Sequence, residues 1–139
     1  MINTRSQDIA QLSDIEFHIV GCGAIGSSVA MQLTRLGADN FYMYDFDKVE
    51  MPNIGVSQYI DSDIGKLKVE ALIGHMKSVN KHIRVEGHLN KFKDYKGSKE
   101  GILILGLDSM KARKEIVQLL TQCPYKPKVV IDGRMGAEH

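Results

Sequence analysis

Residues 16–26 read EFHIVGCGAIG, and this stretch determines the kind of fold to expect. A short apolar run leads into three glycines, and residues 27–36 then carry apolar side chains at helical spacing until the chain reaches Gly37. Strand, glycine-rich loop and helix in this order are typical of the first unit of a nucleotide-binding sheet.

The three glycines of this loop have different predicted tasks. Gly21 permits a tight turn, Gly23 lets a phosphate approach the backbone, and Gly26 lets the helix pack close to the strand. The helix N-terminus, at Ala24 and Ile25, offers unpaired backbone N–H groups and a partial positive charge to an anion. The loop therefore predicts nucleotide binding, with a purely structural loop as the alternative.

Strands and helices alternate along the rest of the chain. We predict strands over 41–44, 83–88, 101–105 and 128–132, helices over 63–79 and after a cap at Asp108 or Ser109, and a surface loop without assigned chemistry over 90–99. This order indicates right-handed βαβ units and an α/β fold: a Rossmann-like, doubly wound, mainly parallel sheet with helices on both faces. We expect one such domain over residues 16–139, after an N-terminal helix or arm over residues 1–15.

The composition indicates a soluble globular protein without a broad electrostatic field. The chain has 139 residues and a formal net charge of +1, so neither nucleic acid nor a membrane is expected as a partner. No apolar run approaches the roughly 20 residues of a membrane span, and the first residues lack a signal-peptide core. Cys22 and Cys123 have neither disulfide nor zinc spacing, and Cys22 is expected to be a buried filler. We expect a cytoplasmic protein.

Polar side chains follow several of the predicted strands, at the sheet edge where such folds bind ligands. Asp45 lies 19 residues after Gly26, where an acidic side chain can take ribose hydroxyls. Lys68 and Asp108 can supply the cation and the Mg²⁺-binding carboxylate that cleavage of a triphosphate needs. Hydride transfer has no use for this pair.

Each of these residues also has a structural alternative. Asp45 and Asp47 flank a turn and could simply shape it, although two acids at a strand end favour ligand contact. For Asn53, in a Pro/Gly-containing stretch, a turn role and a binding role are both open. Lys68 could be one more solvated charge on its helix, and Asp108 could cap the next helix.

Five motifs, in this order, resemble those of the ThiF/MoeB/E1 superfamily. They are GCGAIGS, YDFDKVEMPN, DIGKLKVEAL, LDSMKAR and IDGRMGAE, and the resemblance extends over nearly the whole chain from Glu16. Members of this superfamily adenylate the C-terminal glycine of a ubiquitin-like or sulfur-carrier protein. The resemblance implies ATP and Mg²⁺ as cofactors, and an adenylyltransferase reaction in which a carrier carboxylate attacks the α-phosphorus and pyrophosphate leaves.

The resemblance also implies roles for the polar residues. Asp45 would contact the ribose, Asn53 and Lys68 the phosphates, and Asp108 the Mg²⁺ or the reacting phosphate. The expected catalytic residues are Asp108, Lys68 and Arg5. The expected nucleotide-binding set is Gly21, Gly23, Ala24, Ile25, Gly26, Asp45, Asp47, Asn53, Lys68 and Asp108.

Two arginines enter through the same resemblance. Arg5 resembles an N-terminal arginine that in many members reaches a neighbouring subunit's site, and a solvated arginine is the alternative. Arg113 repeats the family's Asp-x-x-x-x-Arg spacing after Asp108. Since family members commonly pair, a homodimer is expected.

The chain departs from the family pattern in three places. After Asn53 the family usually shows an Arg-Gln pair, whereas this chain keeps Gln58, has no arginine and is one residue longer. One phosphate ligand is therefore missing or supplied from elsewhere, and whether Val56 or Ser57 takes the place of the arginine is open. The GRMG segment, residues 133–136, is similar to that of E1-like proteins of phage and bacterial operons. The chain stops where the family continues into further strands and a crossover segment, so we expect it to lack the C-terminal part of the family fold.

Three functions therefore remain open at the level of sequence. The first is an E1-like adenylating enzyme or its nucleotide-binding half. The second is an NAD(P)-binding oxidoreductase domain, supported only by the generic glycine fingerprint with Asp45. The third is an E1-like module that binds a nucleotide or partner without turnover, suggested by the absent arginine and the short C-terminus.

Overall fold

The computed structural model describes residues 12–107 and 109–133, which form five strands and three α-helices. In chain order these are β1 (Phe17–Val20), α1 (Ala24–Arg35), β2 (Asn40–Tyr44), α2 (Lys68–Val79), β3 (Arg84–His88), β4 (Ile102–Leu105), α3 (Met110–Gln122) and β5 (Val129–Asp132). Single 3-10 turns lie at Met51–Asn53 and Asp61–Asp63. No helix in this part of the chain is long and apolar enough to cross a membrane.

All five strands are parallel and lie in the order β3-β2-β1-β4-β5. At the centre of the sheet, Phe17 of β1 is in register with Phe41 of β2 and with Ile102 of β4. Because the chain winds outward in opposite directions from β1, the carboxyl ends of β1, β2 and β4 border one crevice. The predicted Rossmann-like, doubly wound sheet is confirmed.

The start of α2 differs from the prediction. The helix begins at Lys68 rather than near Asp63, because Asp63 closes a 3-10 turn ahead of it. The Asp63 carboxylate accepts the backbone N–H of Ile60 at 2.9 Å and lies 2.7 Å from Nε2 of His75. Lys68 is therefore the first residue of α2, at the same end of the sheet as the glycine loop, and not a mid-helix charge.

One face of the sheet is closed by α1 and α2, and we call it the helix-covered face. Its core includes Ile19, Phe41 and Met43 from the strands and Leu72 and Met76 from α2, each at most 1% exposed. Alternation along the strands directs these residues to one side. Burial of each such side chain contributes roughly 1.5–3 kcal/mol, which makes this layer the main source of stability.

The opposite face is closed by α3 and by an irregular segment, residues 90–99, which we call the strap. The strap occupies the crossover between β3 and β4, where a doubly wound fold usually has a helix. Its side chains Phe92 and Tyr95 are buried with Leu103, Leu105 and Ile116 in a second core. The predicted loop is a loop, but it contributes to the interior; we call this side of the sheet the strap face.

Candidate functional site

The glycine loop brings the end of β1 into close backbone contact with its surroundings. Gly21 has a φ of +91°, and a Cβ on it would lie 2.8 Å from the carbonyl oxygen of Gly106. A Cβ on Gly26 would lie 1.8 Å from the carbonyl oxygen of Gly21, so only glycine lets α1 begin this close to the loop. Gly23, the N-cap of α1, has no side chain that could occupy the first-turn N–H groups. The helix N-terminus therefore stays open to an anion.

Asp45 connects the end of β2 to this loop. Its Oδ2 accepts the backbone N–H of Cys22 at 2.7 Å, and its Oδ1 accepts the backbone N–H of Asp47 at 2.8 Å. The carboxylate thus shapes the turn, as its structural alternative proposed, and also holds the glycine loop in place. Contact with a ribose remains a prediction.

Cys22 is fully buried inside the loop. Burial raises the pKa of its thiol, the negative charge of Asp45 raises it further, and the positive charge of Lys68 acts in the opposite direction. The thiol is therefore protonated at neutral pH. Cys22 is the buried filler that its size predicted.

The backbone of Lys68 is held by the loop that follows β2. Its N–H donates to the carbonyl of Asp47 at 2.9 Å. The hydroxyl of Tyr59 links this residue to the glycine loop, since it lies 3.3 Å from the Lys68 carbonyl oxygen and 2.5 Å from the Cys22 carbonyl oxygen. The structure thus brings Asp45, Asp47 and Lys68 together at the glycine loop, with Lys68 partly buried.

A cavity of about 340 Å³ lies over the carboxyl ends of β1 and β2 and against α3. Its apolar wall is formed by Val20, Phe92, Leu107, Ile116 and Leu119, and its polar residues include Asp45, Asp47 and Glu115. A mostly apolar cavity of this size with a few polar groups suits a flat heterocycle and its sugar. A shallower groove of about 570 Å³ lies beside it on the strap face, away from the glycine loop.

In the turn at Met51–Asn53, Asn53 has the turn role that the sequence left open for it. Its side-chain oxygen accepts the backbone N–H of Glu50 at 2.7 Å. Two residues of the following stretch bond within the protein: Ser57 donates its hydroxyl to the Asn53 carbonyl, and Gln58 donates its N–H to Ser27 Oγ at 3.2 Å. A phosphate contact by Asn53 remains a prediction.

No cation occupies the place of the family arginine in the described part of this stretch. Val56 is 62% exposed and lies in a shallow depression with Ala24, Ile25 and Val29 of α1 and with Gln58. The depression adjoins the first turn of α1. Neither Val56 nor Ser57 can replace the charge of an arginine there.

Of four further predicted residues, two lie outside the described part of the chain and two lie within it. Arg5 and Asp108 lie outside the described residues, so their catalytic and metal-binding roles remain predictions. Ser109, one of the two predicted caps, is the N-cap of α3, and its side chain accepts the N–H of Ala112 at 3.2 Å. Arg113 is 8% exposed and its Nε lies 2.9 Å from Asp132 Oδ1, where it joins α3 to β5. Within residues 12–107 and 109–133, no cluster of three or more His, Cys, Asp or Glu side chains could hold a metal.

Sequence reasoning missed three contributors to the site. Tyr59 binds the glycine-loop carbonyl, Gly106 packs against that loop at the end of β4, and Phe92 forms a cavity wall. Two of these residues could have been identified from the sequence, because Gly106 directly follows an apolar strand and Phe92 is an aromatic residue in a Lys-rich loop. Tyr59 could not, because its partner Cys22 is 37 residues away.

Comparisons with known sequences agree on one family. The model described as "ThiF family" matches residues 2–136. The chain is similar to ubiquitin-like modifier-activating enzyme 5 of Caenorhabditis briggsae, with 37% identity over 82 residues that cover 59% of this chain and 19% of that protein. It is also similar to ubiquitin-like modifier-activating enzyme 5 of Oryza sativa subsp. japonica, with 27% identity over 124 residues that cover 88% of this chain and 30% of that protein.

Solved structures share the fold. The tRNA N6-threonylcarbamoyladenosine dehydratase TcdA of E. coli, in complex with ATP, has a TM-score of 0.80 and 19% identity over 96% of this chain and 56% of its own. MccB of E. coli, solved with AMPCPP and MccA, has a TM-score of 0.63 and 23% identity over 71% of this chain and 32% of its own. This chain thus spans about a third or less of the two curated relatives and about half of TcdA.

Proposed function

Because the chain belongs to the ThiF family, we propose that it is the nucleotide-binding part of an E1-like enzyme that adenylates a carrier protein with ATP. Its relatives are named ubiquitin-like modifier-activating enzymes, and TcdA and MccB were solved with ATP and an ATP analogue. The proposed partner is a ubiquitin-like or sulfur-carrier protein whose C-terminal glycine carboxylate is the nucleophile.

One observation carries the proposal: the glycine loop and Asp45 border one cavity, and Lys68 begins α2 next to Asp47, which lines the same cavity. Asp45 bonds the loop at Cys22 N–H, 2.7 Å away, and Lys68 is bonded through its backbone to Asp47, which also lines the cavity. A cation at the first residue of a helix opposes the helix dipole. A bound phosphate chain would explain a lysine at this position better than solvation does.

The chain's own residues would act mainly by positioning and charge. The apolar cavity would hold the adenine, and Asp45 at its polar side would take the ribose hydroxyls. The open N-terminus of α1 and the Lys68 ammonium would stabilise negative charge on the phosphates as the α–β bond breaks and pyrophosphate leaves. Mg²⁺ would neutralise further charge, and Asp108 is the residue proposed to hold it. Arg5, reaching the site from a second subunit of a homodimer, belongs to the same proposal.

The test is calorimetric titration of the chain with ATP and with NADH, each with and without Mg²⁺. Lys68→Ala is compared with Lys77→Ala, which removes an exposed lysine from the last turn of the same helix. We expect ATP binding that weakens about tenfold or more in Lys68→Ala, the usual range for a lost charge-assisted hydrogen bond, and no change in Lys77→Ala. Binding of NADH but not ATP would refute the proposal in favour of an oxidoreductase domain.

The arginine-free turn favours a second candidate, a module that binds ATP without turnover. Val56 and Ser57 supply no cation beside α1, so one source of charge stabilisation at the phosphates is absent from this stretch. Pyrophosphate release in the presence of any carrier protein would eliminate this candidate. ATP binding without release under any such condition would favour it.

A further inference from the structure

A second polar cluster lies on the strap face, outside the nucleotide site. Oε1 of Glu16 accepts the backbone N–H of Ser98 at 2.8 Å and lies 2.6 Å from Nε2 of His18. Across the ring, Nδ1 of His18 lies 3.1 Å from the hydroxyl of Tyr44. A neutral imidazole satisfies both contacts if it donates from Nε2 to Glu16 and accepts the Tyr44 proton at Nδ1. The cluster therefore connects the strap to the end of β2.

The other end of the strap forms a wall of the nucleotide cavity. Residues 90–93 line that cavity, as does Tyr44. The ring of Phe92 packs edge-on against the ring of Tyr44, with centroids 5.1 Å apart. The contact at Ser98 is therefore coupled to the cavity wall in two ways. Tyr44 contacts both His18 and Phe92, and only a few residues of the strap separate Ser98 from residues 90–93.

The contact at Ser98 is closely packed. The side chains of Glu16 and His18 are 18% and 3% exposed. A Cβ on Gly97 would lie 2.2 Å from Oε1 of Glu16 and 2.4 Å from Nε2 of His18, so the strap backbone rests directly on the pair. Tyr95 makes an edge contact with the His18 ring at 4.8 Å and donates its hydroxyl to the Ser98 carbonyl.

We propose that Glu16 is a positioning residue for nucleotide binding: through the Ser98 amide and His18 it latches the strap, and the latched strap keeps residues 90–93 in place as the cavity wall. This inference rests on the proposed nucleotide site. It extends that site to Glu16 at the amino end of β1, whereas the glycine loop follows the carboxyl end of the same strand.

The chain contains a matched control for this latch. Glu86 and His88 form a second carboxylate–imidazole pair on the same face, 2.7 Å apart, with side chains 61% and 38% exposed. Among the described residues, no hydrogen bond joins this pair to the strap backbone. Glu86→Ala therefore removes a similar carboxylate without unlatching the strap.

The experiment compares wild type, Glu16→Ala, Glu16→Gln and Glu86→Ala by two measurements. Amide hydrogen exchange over residues 90–99, without nucleotide, reports the latch, and calorimetric titration with ATP reports the cavity. In Glu16→Ala we expect about tenfold faster exchange at Ser98 and about fivefold to tenfold weaker ATP binding, the scale of one intramolecular hydrogen bond. Glu16→Gln keeps an acceptor oxygen for Ser98 and should restore most of both, and Glu86→Ala should change neither.

The outcomes separate the latch from the proposed function. Exchange over residues 90–99 that is equal in Glu16→Ala and Glu86→Ala overturns the latch. Faster exchange with unchanged ATP affinity overturns its role in nucleotide binding. If the wild type binds no ATP while Glu16→Ala still frees the strap, the proposed function fails and the latch survives only as an element of the fold. Should Glu16→Ala not fold, Gly97→Ala, which pushes the strap off the same pair, takes its place.

Discussion

The two faces of the sheet are closed by different kinds of contact, and each contributes a different part of the candidate site. On the helix-covered face, α1 and α2 bury an apolar layer, and the proposed phosphate end of the site is built from closely packed backbone atoms. On the strap face an irregular segment is held by a polar cluster and two aromatic rings, and it supplies side chains to the cavity wall. The proposed phosphate end is therefore fixed by backbone packing, whereas the proposed base end depends on side-chain contacts.

Two glycine substitutions give the strongest test of this contrast. Gly26→Ala places a Cβ 1.8 Å from a backbone carbonyl oxygen, whereas the atoms nearest to a Cβ on Gly97 belong to the side chains of Glu16 and His18. We expect Gly26→Ala to lower the free energy of unfolding by about 3 kcal/mol or more and Gly97→Ala by about 1–2 kcal/mol, measured by urea denaturation.

Gly74→Ala is the control for these two substitutions. Gly74 lies inside α2 with nothing within 4 Å of an added Cβ, so alanine there should stabilise the protein by about 0.5–1 kcal/mol. A cost for Gly97→Ala equal to that of Gly26→Ala would show that the strap face is as rigid as the helix-covered face.

A smaller effect is expected from Tyr59→Phe, which removes one hydroxyl from the core of the helix-covered face. The change leaves the buried Cys22 carbonyl without this donor, so we expect a loss of about 1–3 kcal/mol in unfolding free energy. Tyr125→Phe, at a side chain 58% exposed, is the matched control and should change stability by less than about 0.5 kcal/mol. An unchanged stability in Tyr59→Phe would mean that this hydroxyl does not anchor the glycine loop.

The helix-covered half could be predicted because its determinants are local in sequence. The glycine loop, the apolar strand runs and Asp45 at its fixed distance from Gly26 were all visible as spacing, and the parallel order followed from them. The start of α2 was predicted five residues too early, since it depends on the contact between Asp63 and His75, 12 residues apart. Periodicity carries no information about such a turn.

The strap half could not be predicted because its contacts join residues even farther apart in sequence. The bond from Ser98 to Glu16 spans 82 residues, and a carboxylate before a strand normally reads as solvated. Phe92 and Tyr95 were the only hint that this polar segment enters the core. The turn role of Asn53 and the pairing of Arg113 with Asp132 likewise appear only in three dimensions.

The weakest of the predicted effects is a pH dependence of stability that arises on the strap face. Burial lowers the pKa of His18 below its ordinary value of 6.5, against the hydrogen bond and charge of Glu16. Burial raises the pKa of Glu16, but hydrogen bonds from His18 and Ser98 outweigh it and hold the pKa below the ordinary 4.5. The other groups that face His18 are Tyr42, Tyr44, Tyr95 and the charges of Glu86 and His88.

The sign follows from proton binding in the two states. At both groups the unfolded chain takes up protons at higher pH than the folded chain does, so acid favours unfolding. The His18 contribution is complete above its unfolded pKa of 6.5 and declines as the pH falls from there, and the Glu16 contribution declines only below 4.5. Urea denaturation between about pH 7.5 and about pH 5 should therefore show a loss of stability that His18→Gln reduces and His88→Gln, at an exposed imidazole, leaves in place. Because opening the strap exposes His18 to proton uptake at its ordinary pKa of 6.5, the protection of the strap amides, corrected for the intrinsic pH dependence of exchange, should fall in the same window. A stability loss without that fall in protection would locate the pH effect outside the strap face.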